Sequence, residues 1–285
     1  MKFLQASGLI IVSVCLCLAA SAATYRSPLS VAVSPDGKTL YVSDKTAGCV
    51  TRLDAATGVE LGETPIVGDP HGCALSADGK ILYVTQRKIN SIALIDTSQG
   101  IVVGRIPVGA WPVALALAKK AQRLYCCNQG ENTVSVIDLT TGQQIDEIAV
   151  VREPAFAAIS ADESRVVVAN FLPSGSGTDP DLAAEVSILD TGAMRQVARV
   201  KLPPGSTMAG GVWINPNGKW AYVVHVLGRF DLPVTRLEEG WVHTCALSII
   251  DVAGGIRLAT VLLDSLTQGA ADPWAVTGSA DGRTL

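Results

Sequence analysis

Side chains able to do chemistry are few, and they concentrate in one stretch. Between His225 and His243 stand Arg229, Asp231, Arg236, Glu238, Glu239 and Trp241, so carboxylates, guanidiniums and an indole lie between two imidazoles. The third imidazole, His71, is far upstream, and Trp111, Arg152-Glu153 and Trp274 each adjoin a proline. Neutral imidazole is the commonest metal ligand and carries protons near neutral pH. His225, together with His71 or His243, is therefore a candidate metal or haem ligand or proton shuttle. A plainer alternative stays open, in which His225 belongs to a set of polar residues that bond local backbone at turns. Arg152 and Glu153 read as an exposed ion pair or as a ligand clamp. Trp111, Trp241 and Trp274 suit packing between sheets or anchoring of a partner.

Several chemistries lack their motifs. There is no Cys-x-x-Cys-His haem attachment, no Gly-x-Ser-x-Gly elbow and no His-Glu-x-x-His. Ser174-Gly175-Ser176-Gly177 has no following Lys, so it reads as a loop tip and not a phosphate cradle. No catalytic residue is assigned from sequence.

Composition narrows the setting. Of 285 residues 48% are apolar and 17% charged, the net charge is -4 and the mean hydropathy is +0.35. Disorder and nucleic-acid binding are excluded on those grounds. Lys2, the apolar run Leu9 to Ala20 and the small residues Ala20-Ser21-Ala22-Ala23 predict an export signal over residues 1–23. The remainder, 24–285, is expected in the periplasm, at the cell surface or outside the cell, with no membrane span. Five cysteines follow the signal, an odd number, so at least one is predicted to stay unpaired. Adjacent Cys126 and Cys127 on a strand point to opposite faces and cannot share a metal.

What must position these residues is a repeat. Ser34-Pro35-Asp36-Gly37 recurs at a step of 42 as Ser76-Ala77-Asp78-Gly79, decays to Ala118-Lys119-Lys120-Ala121 and returns as Ser160-Ala161-Asp162-Glu163. Tyr41-Val42-Ser43-Asp44, Tyr83-Val84-Thr85-Gln86, Tyr125-Cys126-Cys127-Asn128 and Val167-Val168-Ala169-Asn170 keep the same step, as do Pro28, Pro70, Pro112 and Pro154. Insertions stretch the later units, to Asn215-Pro216-Asn217-Gly218 and Ser279-Ala280-Asp281-Gly282.

Each unit holds four short β-rich runs, here A to D. In the second unit they are Gly72–Leu75, Ile81–Gln86, Ser91–Asp96 and Ile101–Val108. A sheet of this size with two apolar faces and no helix must pack against its neighbours, and a unit of about 40 to 45 residues is the length of a propeller blade. The fold predicted is an all-β propeller of four-stranded antiparallel blades, five full and the start of a sixth. A sandwich is the weaker alternative, since it demands no strict repeat.

The Tyr-Val-Thr-Asn-like tetrads, with Ser-Pro-Asp-Gly ahead and Val-Ser-Val-Ile-Asp behind, resemble the YVTN family of β-propeller repeats in exported bacterial and archaeal proteins. Arg152-Glu153-Pro154, the run from Arg229 to Trp241 and Ala271-Asp272-Pro273-Trp274 resemble a bacterial subgroup whose propeller precedes a c-type cytochrome domain of the di-haem peroxidase-like kind. That resemblance implies a seven-bladed ring, of which this chain would be a part. It also implies an electron-transfer setting, and a protein partner or downstream cytochrome domain that carries any haem, with no cofactor in this chain. A haem- or metal-dependent oxidoreductase with a histidine ligand at the rim is the alternative.

In such blades the B–C and D–A connections leave from one face. Both insertions, Phe171 to Ala184 and Val226 to Thr244, are B–C connections, so His71, Trp111, Arg152, Glu153 and Trp274 are expected beside them on one loop-rich rim.

Overall fold

The computed structural model describes residues 25–228, 243–265, 268–270 and 272–285, and almost all the regular structure in them is strand. Five antiparallel sheets follow one another along the chain. The first comprises β1 (Pro28–Val33), β2 (Thr39–Asp44), β3 (Cys49–Asp54) and β4 (Glu60–Pro65). The second comprises β5 (Pro70–Leu75), β6 (Ile81–Gln86), β7 (Ser91–Asp96) and β8 (Ile101–Pro107). In the third are β9 (Pro112–Ala118), β10 (Arg123–Asn128), β11 (Thr133–Asp138) and β12 (Gln143–Ala149). In the fourth are β13 (Pro154–Ile159), β14 (Arg165–Asn170), β15 (Glu185–Asp190) and β16 (Arg195–Lys201). The fifth has a broken first strand, β17 (Ser206–Thr207) and β18 (Val212–Ile214), then β19 (Trp220–Gly228), β20 (His243–Asp251) and β21 (Ile256–Leu262).

Contacts between sheets define a radial arrangement. The first strands β1, β5, β9, β13 and β18 pack each on the next, while the last strands β4, β8, β12, β16 and β21 meet only lightly. Sheets close at one edge and splayed at the other are the blades of a propeller, with the first strands lining the hub. The core lies between blades. One cluster joins Ala93 and Leu82 of blade 2 to Tyr41 and Val50 of blade 1, and another joins Val134 and Tyr125 of blade 3 to Val166 and Val168 of blade 4.

The repeated turns explain the repeated residues. Ser34 Oγ donates to Asp36 Oδ1, Lys38 N–H donates to the same oxygen, and Gly37 supplies the left-handed backbone at φ 72°. Ser279, Asp281 and Gly282 build the same turn in the sixth unit, with φ 69° at the glycine. The two departures from this motif meet each other. Glu163 holds φ 62° in place of glycine, and its carboxylate accepts from Lys120 N–H at 2.9 Å and Ala121 N–H at 3.0 Å in the degenerate third turn.

Two predicted boundaries shift. The first strand of blade 2 begins at Pro70, paired with Gln86, and not at Gly72, because a bulge lets the proline open the strand. In blade 5, Val226, Leu227 and Gly228 continue β19, paired to Cys245, Thr244 and His243. The strand thus runs three residues further than expected, and β17 offers a partner to Val226 and Leu227.

Candidate functional site

The backbone fixes the rim. The residue after each tetrad donates its N–H to the residue before the inner-strand proline: Arg87 to Asp69, Gln129 to Trp111 and Phe171 to Glu153. B–C and D–A connections therefore share a face. The receiving residues Asp69, Trp111 and Glu153 all hold positive φ, at 70°, 55° and 56°. Such a conformation is costly for a residue with a Cβ, and side-chain caps hold it in place. Asn90 Oδ1 accepts from Trp111 N–H at 3.2 Å, and Asn132 Oδ1 from Glu153 N–H at 2.7 Å.

Trp111 is 52% exposed and rigidly seated. The Arg87 guanidinium lies 4.5 Å from its ring centroid and donates to Gln129 Oε1 at 3.3 Å, with Gly130 leaving room for the indole edge. Arg152 does not pair with Glu153. It donates to the Pro173 carbonyl at 3.4 Å, tying the 171–184 excursion to the rim. That excursion is anchored below by Glu185, whose carboxylate takes a two-pronged bond from Arg199 at 2.9 and 2.8 Å and another from Ser174 Oγ at 3.1 Å.

His225 is sealed at the interface of blades 4 and 5, not presented at the rim. Its Nε2 bonds Ser248 Oγ at 2.9 Å, Ser248 continues to Thr260 at 2.8 Å, and Nδ1 is buried without a hydrogen-bond partner. Burial lowers its pKa to about 4, against a weaker opposing pull from the Val226 backbone. The same position in blades 3 and 4 is built alike: Asn128 Nδ2 donates to Ser135 Oγ at 2.8 Å and Asn170 Nδ2 to Ser187 Oγ at 3.1 Å. Asn128 Oδ1 and Asn170 Oδ1 are also buried and unbonded. The plainer sequence reading expected bonds to local backbone at turns, whereas these side chains bond serine hydroxyls of the neighbouring strand.

The three histidines are not brought together. His243 is exposed at the start of β20, opposite Gly228 and three residues along the ladder from the Ala246 that faces His225. His71 is in the hub. Among the described residues no group of three or more His, Cys, Asp or Glu is placed to hold a metal ion. His225 is fully buried, so its imidazole is closed to a haem iron in this arrangement. Arg229, Arg236 and Trp241 lie outside the described residues.

The hub cavity, about 140 Å³, sits at the rim end of the inner strands and is lined by His71, Val113, Ala155, Phe156 and Trp274 with Leu29, Ser30 and Cys73. These residues lie one to three positions after Pro28, Pro70, Pro112, Pro154 and Pro273. Trp274 is 48% exposed and meets Phe156 edge-on at 5.3 Å. It reaches across the fifth blade because Gly210 and Gly211 stand there: a Cβ on either would press into the 273–276 backbone. Sequence reasoning missed Arg87, Ser30, Val113 and Phe156. The signal that finds them is their place in the repeat, one residue after a tetrad or one to two residues after an inner-strand proline.

The chain is similar to known propellers. The family model described as Lactonase, 7-bladed beta-propeller matches residues 68–149, which span blades 2 and 3. Among solved structures, Kuenenia stuttgartiensis hydrazine synthase is similar at a TM-score of 0.81 and 27% identity, over 90% of this chain and 72% of that one. No curated protein matches. The class is thus a β-propeller, and no helix among the described residues is long and apolar enough to cross a membrane.

Proposed function

We propose that this chain is an exported β-propeller, its signal in residues 1–23, that docks a protein partner through its loop-rich rim. The partner we infer is a c-type cytochrome, as a downstream domain or a separate chain, in a periplasmic or cell-surface electron-transfer assembly of the YVTN-repeat kind. Any haem belongs to that partner. The observation that carries the reading is Trp111: a half-exposed indole clamped in a left-handed backbone conformation and stacked under Arg87, the rigid anchor that binding hot spots use. Arg87 and Arg152 meet no carboxylate among the described residues, so both charges are open to an acidic surface. Similarity to hydrazine synthase supports a redox setting.

The test is size-exclusion chromatography of the full-length protein from its exporting cell, monitored in the Soret region. A c-type haem signal should co-elute with the parent chain. If the cytochrome is a separate chain, Trp111→Ser should lower its affinity about 30-fold, the scale of one hot-spot residue. Full-length protein that runs alone without Soret absorbance would overturn the proposal.

A further inference from the structure

The hub cavity has a chemistry of its own. His71 Nδ1 lies 3.2 Å from the Val113 carbonyl oxygen, which can only accept, so Nδ1 carries the proton. Nε2 is then a bare acceptor, and no protein group among the described residues bonds it. Burial, helped by the charges of Arg87 and Lys45, holds the ring's pKa below the ordinary 6.5, so this tautomer persists at neutral pH.

A donor stands on the neighbouring strand. Ser30 Oγ accepts from Cys73 N–H at 3.2 Å and from the Cys73 thiol at 3.4 Å, which leaves its own O–H to give. Ser43 Oγ donates to the His71 carbonyl and lies 3.4 Å from the Ser30 carbonyl, holding β1 against β5 at this level. Gly72 lets β5 and β9 approach as closely, because a Cβ there would collide with the Val113 carbonyl. The walls are therefore pinned by backbone contacts before any ligand arrives, which lowers the ordering cost of binding.

The remaining side chains of the lining are apolar or aromatic, with backbone polar groups between them, the mouth is partly open, and the volume of about 140 Å³ is of the size that admits a benzene ring in an engineered cavity, roughly 150 Å³. We propose that the hub cavity binds a small uncharged ring bearing one hydroxyl, the hydroxyl donating to His71 Nε2 and accepting from Ser30 Oγ while the ring packs on Val113, Ala155, Phe156 and Trp274. No charged side chain lines the cavity to pair with an ionised ligand, and a ring without a hydroxyl would leave Nε2 unsatisfied. This site is separate from rim docking and stands whether or not a cytochrome partner is found.

Calorimetric titration of the full-length protein with phenol and with toluene tests it. Phenol should bind saturably and about tenfold more tightly than toluene, the increment of one hydrogen bond made in a cavity. His71→Leu should erase the preference while toluene still binds. Ala155→Leu, which leaves His71 untouched and fills the space, should weaken both ligands at least tenfold. In the parent protein the His71 Nε2 nitrogen resonance should move on adding phenol and stay put with toluene, a readout that survives if the His71 variant does not fold. Equal affinity for the two ligands, no saturable phenol binding, a preference that survives His71→Leu, or unchanged affinity in Ala155→Leu would each overturn the proposal.

Discussion

Replacing His225 by Asn should flatten the acid side of the stability profile. The parent imidazole is buried and neutral, its pKa held at about 4 by desolvation against an ordinary 6.5. The unfolded chain therefore binds a proton at a pH where the folded chain refuses it, and stability falls as pH drops from 6.5 toward 4. At about 1.4 kcal/mol for each tenfold difference in proton affinity the loss approaches 3 kcal/mol, with about 2 kcal/mol of it gone by pH 5. Asn is the right substitute because Asn128 and Asn170 hold the same position and bond the matching serine. Urea unfolding of both proteins at a series of pH values between 8 and 4 isolates the one imidazole, since every other titrating group is shared. At a slope of about 3 kcal/mol per molar the midpoints should converge by about 1 M on acidification. Parallel midpoint curves for the two proteins would refute the reasoning.

Two further outcomes follow from the blades themselves. Glu163→Ala should destabilise by about 1 to 2 kcal/mol, losing the carboxylate cap while keeping the left-handed strain, whereas Glu163→Gly relieves the strain and should cost about 1 kcal/mol less; equal denaturation midpoints for the two would remove the role assigned to φ. Burial pushes the Cys73 thiol to about 11 and the Cys127 thiol to about 12, and raises Cys126 as well. Ellman's reagent at pH 8 should label Cys126 and Cys127 only after unfolding, and modification of either residue in the native protein would count against their burial.

Much of the architecture was legible because one segment is compared with itself. The step of 42 located the middle strands of blade 2 to the residue, since period-two apolar runs bounded by Asp-Gly turns leave little freedom. The first strand of blade 2 reads two residues short because Pro70 looks like a breaker, although a proline can open a strand. Adjacent Cys126 and Cys127 do enter different cores, one toward blade 2 and one toward blade 4. The site was harder. Arg87 over Trp111, Phe156 against Trp274 and Glu163 capping Lys120 are contacts between separate units, and single-chain periodicity carries no trace of which side chains meet across a blade boundary. His225 looked chemical from its neighbours in sequence, yet its surroundings in space are those of two asparagines.

Each of the five described blades is assembled from strands consecutive in the chain, four in the first four blades and five in the fifth, where the first strand is broken, and none borrows a strand from a distant segment. A polypeptide delivered lengthwise, from a ribosome or through a translocation pore, can therefore finish each sheet from what has already emerged and lay it on the one before. Among the described residues no strand made early has to wait unpaired for a segment made late, so each sheet can form in the order in which the ribosome delivers it.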